Sequence, residues 1–173
     1  MDCFSVRQER RNFTGIKNLK ILLITITSLV LLVIVALFIL GYMSQSDKAN
    51  GLVKGRLMQC PNTPNCVCSE FVPDAVHYIE PLVISAGDAA QILVRLKTII
   101  REMGGSIQAE KADYLAATFT SSIFRFVDDL EIRIDSGQKM IHMRSASRVG
   151  HGDGGVNRKR VEQLKNLFQL KTD

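Results

Sequence analysis

No charged side chain stands anywhere in residues 21–42, ILLITITSLVLLVIVALFILGY. As a helix rising about 1.5 Å per residue, this run is roughly 33 Å long, enough to cross a hydrocarbon core of about 30 Å. Its Leu, Ile, Val and Phe residues, at roughly −0.3 to −0.6 kcal/mol each, outweigh the small cost of Thr25, Thr27 and Ser28. The missing charge excludes a solvent-facing helix, and the pattern predicts a transmembrane helix over residues 21–43. The marks of a cleaved leader are also missing. The apolar core exceeds the usual 7–15 or so residues, and Leu40-Gly41-Tyr42-Met43 is not an A-x-A exit, although Ser44 and Ser46 do supply small residues. No cysteine sits at the exit, which excludes a lipoprotein signal. The expectation is an uncleaved anchor. Internal repeats and low-complexity stretches are absent outside this run, which excludes a solenoid or array.

The formal net charge is +5, and much of the basic excess precedes the apolar run, at Arg7, Arg10, Arg11, Lys17 and Lys20. After it come Lys48, Lys54 and Arg56, diluted by Asp47. The positive-inside rule then leaves the N-terminus in the cytoplasm. It places the chain as a single-pass protein of the cytoplasmic (inner) membrane, with residues 44–173 exported to the periplasmic side. Because topology accounts for this charge, nucleic acid is not an expected partner. The expected organisation is a basic tail (1–20), the anchor (21–43), a polar Gly-containing linker (44–58) and an exported domain (59–173).

Cysteine is scarce, four residues in all, and Cys3 lies across the membrane from the other three. Cys60-Pro-Asn-Thr-Pro-Asn-Cys66-Val-Cys68 is too rich in turn residues to be a regular element. In an oxidising compartment a structural disulfide, most simply Cys60 to Cys66, would pin that loop and leave Cys68 over. The alternative is a cluster of three thiolates holding copper(I) or zinc, or serving a redox role. The C-x5-C-x-C spacing is no standard zinc pattern, however, and the next histidine is His77.

The exported part reads as α+β. Ser85-Ala-Gly-Asp88 resembles a capping box with Asp in place of Glu. Ala89, Ile92, Leu93, Leu96, Ile99, Ile100 and Met103 follow at helical spacing, and Gly104-Gly105 stops the helix. Strands are predicted at 106–110, 114–120, 125–135 and 139–149. The last two suit a hairpin turned at Gly137-Gln138 with Gly in first place. That turn pairs Ile134 with Ile141 and Ile132 with Met143 on a buried face, and Arg133 with His142 and Glu131 with Arg144 on the other. A final helix spans 156–170, carried by Val161, Leu164, Leu167 and Phe168, with Asp153 or Asn157 as its cap. The expected fold is a small antiparallel sheet of about four strands with two helices covering one face.

Four segments, CPNTPNCVCSE (60–70), the ADY at 112–114, FRFVDDLEIRID (124–135) and RSASRVGHGDGGVNRKRVE (144–162), resemble the family catalogued as domain of unknown function 1499. With the helix between them they span most of residues 57–170. The resemblance implies a single domain, often membrane-anchored or exported, and carries over no catalytic residue. Where that family usually has Ser after Cys-Val this chain has Cys68, which implies that Cys60 and Cys66 are the pair. Gly154 stands where the family tends to a larger residue.

The segment 144–162 is the suspect surface. As an anion site, Gly150 and the glycines up to Gly155 would cup a ligand at a helix start. Arg144, Arg148, Arg158 and Arg160 would supply charge, with His151, Asp153 and Asn157 alongside. The ligand would be an anionic small molecule or an acidic protein, with no cofactor. G-H-G-D-G-G matches no phosphate-loop pattern. In the alternative, the same groups satisfy one another. Glu131 pairs Arg144, Asp128 and Asp129 hold Arg148 or helix-end amides, and Asp153 and Asn157 cap the last helix. An enzymatic version would use His151 as base, Asp128 or Asp129 as its orienter, and Ser145 or Ser147 as nucleophile. A further version gathers His142, His151, Asp128 and Asp153 around a metal. The balance favours a non-enzymatic module.

Overall fold

The computed structural model describes residues 3–84 and 88–170, with the side chains of residues 3–15 left out of account. By internal packing the chain divides into Met1–Ile39 and Leu40–Asp173. The first helix, α1, runs over Cys3–Ser44. Its segment Ile16–Ser44 is long and apolar enough to cross a membrane. Thr25 and Thr27 each donate their hydroxyl to the carbonyl four residues back, at 2.8 Å, so these polar atoms are satisfied within the helix.

Within Leu40–Asp173 the elements follow as β1 (Leu52–Val53), β2 (Arg56–Leu57), β3 (Cys66–Cys68), β4 (Leu82–Val83), α2 (Ala89–Glu102), β5 (Ser106–Glu110), β6 (Tyr114–Thr120), β7 (Val127–Asp135), β8 (Met140–Ser147) and α3 (Val156–Leu170). The main sheet has six strands, ordered β3-β8-β7-β6-β5, with β4 also pairing β8. Every pairing between named strands is antiparallel. The α+β architecture with two covering helices is therefore as expected. The sheet exceeds four strands because β3 and β4, only two or three residues long, join the outer edge of β8.

The hairpin register is as the sequence predicts: Ile134 opposes Ile141, Ile132 opposes Met143, Arg133 opposes His142, and Glu131 opposes Arg144. The turn differs from the expected one. The strands end at Asp135 and Met140, and it is Lys139, at φ +53°, that takes the left-handed conformation. The Asp135 carboxylate accepts the Gln138 amide at 2.9 Å, so an acidic side chain organises a turn that glycine was expected to make.

One face of the sheet carries the apolar core. Leu115, Ala117, Leu130, Ile132, Ile134, Ile141 and Met143 pack there with Ile92, Leu93, Leu96, Ile99 and Ile100 of α2 and Val161, Leu164 and Phe168 of α3. Asp88 is the N-cap of α2, its carboxylate accepting the Gln91 amide at 2.8 Å; Ser85, the other half of the anticipated capping box, lies outside the described residues. Residues 44–58, expected to be a linker, instead contribute the β1–β2 hairpin. Its turn places Lys54 and Gly55 at φ +53° and +76°, the left-handed pair a two-residue turn demands. Leu57 is buried against Cys60, Cys66, Cys68, Tyr114, Ala116 and Ala146 on the second face of the sheet.

Candidate functional site

On the helix-covered face, the end of β8 meets the start of α3. Strand alternation puts Ser145 and Ser147 on this face, continuing the row of Ile141 and Met143. Between them sits Asn157, which is fully buried. Its carbonyl accepts the Ser145 hydroxyl at 2.6 Å. Its amide donates to Ser147 Oγ at 3.0 Å and to the Asn65 carbonyl at 2.9 Å. Arg160, one turn on, donates to Asp128 at 2.6 Å and to Ser145 Oγ at 3.0 Å, also bonds the Asn157 carbonyl, and lies 4.6 Å over the Phe119 ring. Asn65 closes the network by donating to the Gly150 carbonyl at 2.8 Å. The loop before α3 is thus tied to the strand that carries the disulfide.

The start of α3 is filled from within. Asp153 accepts the Gly155 amide at 2.9 Å and the Asn157 amide at 2.7 Å, so the protein's own carboxylate occupies the cup where an anion was expected to sit.

The second face is a buried polar layer. Glu131 is wholly buried and receives Tyr114 Oη at 2.8 Å, Arg144 Nη1 at 3.0 Å and the Gly51 amide at 2.7 Å. Burial and the Glu131 carboxylate together raise the Tyr114 phenol above its ordinary value, which keeps it a donor. Asp129 takes both ends of the Arg148 fork, at 2.9 and 2.7 Å, and Arg148 also donates to the Ser44 carbonyl at 3.1 Å. Glu70 binds Arg56 and Arg133, each at 2.7 Å, and the Leu57 amide at 3.2 Å. Burial alone would raise the Glu70 carboxyl; these three donors hold it below the usual carboxylate range instead. Truncating one partner of such a pair strands the other charge and costs about 3–5 kcal/mol, which makes the layer a lock on the fold.

The same face holds Ser69, whose Oγ accepts the Met143 amide at 2.9 Å and lies 3.2 Å from His142 Nδ1. His142 Nε2 is buried and makes no hydrogen bond among the described residues. Cys60 and Cys66 form a disulfide, and Cys68 is a buried free thiol, pushed up to about 11 by burial. A thiol so protonated at neutral pH is a poor nucleophile and a poor metal ligand. The disulfide leaves Cys68 without the two thiolates that a three-cysteine metal site requires.

The structure thus distributes the sequence-predicted residues over different places. Asp128 and Asp129 point to opposite faces, as neighbours on a strand must, and serve two different arginines. They do not form one carboxylate surface. Arg144 lies on the second face, apart from Ser145, Ser147 and Asn157. His151 is exposed on the loop and bonded to neither aspartate, so the base–orienter pair of the enzymatic version is not assembled. Arg158 donates to the carbonyls of Val76 and Tyr78, both at 3.0 Å. The sequence reading missed Asn65, Ser69, Glu70 and Tyr114. A usable signal was present for Glu70, an acidic residue directly following the Cys-Val-Cys-Ser segment in a chain rich in arginine.

A family model described as "Protein of unknown function (DUF1499)" matches residues 56–168. No curated protein matches the chain.

Proposed function

The chain belongs to the DUF1499 family, and from that premise we propose that it is a non-enzymatic interaction module tethered to the cytoplasmic membrane by residues 21–43. The N-terminus faces the cytoplasm and the α+β domain faces the periplasmic side, where it meets an acidic partner. Basic residues concentrated before the apolar run favour this orientation, and the Cys60–Cys66 disulfide fits an oxidising compartment.

One observation carries the binding reading. Arg144, Arg148 and Arg160 are each neutralised by a carboxylate, whereas Arg158 is held by two uncharged backbone carbonyls. Its positive charge is fixed in place and left uncompensated by them, half-exposed beside the exposed Lys159. The anion-binding surface therefore contracts from eight residues to this fringe. Charge recognition at such a site is modest and salt-sensitive.

Titration calorimetry of the full chain in detergent with an oligoglutamate peptide at low ionic strength tests the reading. The double substitution Arg158→Gln with Lys159→Gln should abolish the heat of binding, while Arg101→Gln, on α2, should leave it intact. Equal binding by the double variant and the parent would refute the assignment.

A further inference from the structure

The β6–β7 hairpin ends in residues 121–126, SSIFRF, an apolar tip with one cation. Its backbone lies directly on residue 41. A Cβ built on Gly41 would fall 1.7 Å from the Phe124 carbonyl oxygen, a separation no side chain can occupy, so glycine is required there. One turn along, Ser44 Oγ accepts the Val127 amide at 3.1 Å and donates to the Gly41 carbonyl at 2.6 Å. Gly41 and Ser44 are both buried, on the helix face that meets the tip. Arg148 adds its bond to the Ser44 carbonyl.

Residues 40–44 continue the apolar run without a break in helix or in chain. Whatever is packed on them lies at the level where the chain leaves the hydrocarbon. At that level the tip exposes Ile123 (68%), together with Arg125 and the half-buried rings of Phe124 and Phe126, whose centroids are 6.1 Å apart. Tyr42 and Met43, between Gly41 and Ser44 in sequence, are exposed at 77% and 55%. A single exposed Ile needs no explanation. Aromatic and aliphatic bodies with a guanidinium, held beside the end of a membrane helix, have the composition that settles between acyl chains and headgroups.

We propose that the 121–126 tip, held against Gly41 and Ser44, inserts into the headgroup layer of the same membrane. The inference rests on the anchored reading above. Its occupant is the lipid surface. A protein docked on the tip is the competing outcome.

The chain has no tryptophan, so a single introduced indole reports its own surroundings. Ile123→Trp, Leu29→Trp and Val94→Trp would each be made in the full chain and reconstituted in phosphatidylcholine vesicles brominated either near the headgroups or near the acyl ends. Ile123 and Val94 are both largely exposed, so neither change disturbs the fold. Expected are blue-shifted emission and strong quenching of Ile123→Trp by headgroup-proximal bromine, strong quenching of Leu29→Trp by deep bromine, and little of either for Val94→Trp. If Leu29→Trp is quenched while Ile123→Trp is no more quenched than Val94→Trp, the anchor stands and the tip proposal is overturned. If Leu29→Trp is not quenched, the anchored reading itself fails.

Discussion

The burial of one imidazole, His142, predicts that this domain loses stability as the pH falls below about 6.5. His142 Nδ1 lies 3.2 Å from Ser69 Oγ, and the ring feels the charges of Glu70, Arg133 and Asp135. Burial is the largest influence on it and holds the imidazole below its ordinary value near 6.5; Arg133 acts the same way, while Glu70 and Asp135 oppose. The sign follows from which state takes the proton. Below about pH 6.5 the unfolded chain protonates this ring while the folded domain does not, so the unfolded state gains and stability falls. The loss begins near pH 6.5 and levels off once the folded pKa is passed. Glu70 behaves differently. Its folded pKa is depressed, so its contribution is present above the carboxylate range and lost only at more acid pH. Denaturant unfolding of the full chain between pH 7.5 and 5 should show decreasing stability, and His142→Gln should flatten that slope. An unchanged slope in the variant would assign the sensitivity to other groups.

At the scale of elements, α3 shows how a helix start becomes a closed structure. The four amides at a helix N-terminus need acceptors, and here Asp153 supplies one carboxylate for two amides while its own carbonyl receives the Val156 amide at 3.3 Å. Asp153→Ala should lower the domain's stability by about 1 kcal/mol, within a range of roughly 0.5–2, read as a fall in the midpoint of thermal unfolding. A variant as stable as the parent would mean that water replaces the cap at no cost. The bounds of α3 and β6 were legible from periodicity, and the β7–β8 register from counting back from the turn. What alternation could not reveal was that the second face is also covered. Glu131, Arg133 and Arg144 follow the polar half of a period-two pattern, which ordinarily marks solvent. Here that half is sealed by β1, β2 and the disulfide loop. Those elements were themselves hidden, because strands of two or three residues are too short to display a period. Of the two readings of the 144–162 segment, the one in which its charges satisfy one another describes the pairs formed: Glu131 holds Arg144, Asp129 holds Arg148 and Asp128 holds Arg160, all three carboxylates standing on β7.

For the whole molecule, the proposed orientation makes covalent chemistry depend on topology. The Cys60–Cys66 bond closes a loop of a few residues, worth roughly 2 kcal/mol by chain-entropy reasoning, and it pins the strand whose exit residues Ser69 and Glu70 organise the polar layer. That contribution exists only where the compartment is oxidising. The basic residues that precede the apolar run would thereby decide whether its lock can form. Replacing Arg7, Arg10, Arg11, Lys17 and Lys20 with glutamine leaves Lys48, Lys54 and Arg56 as the dominant positive flank and should invert the insertion. The domain would then stay in the reducing cytoplasm. Denaturing alkylation followed by mass measurement should find Cys60 and Cys66 modified in the inverted protein and protected in the parent, while Cys68 is modified in both once the fold is opened. A disulfide that forms equally well in both proteins would sever the link between flanking charge and compartment, and the orientation would have to rest on other grounds.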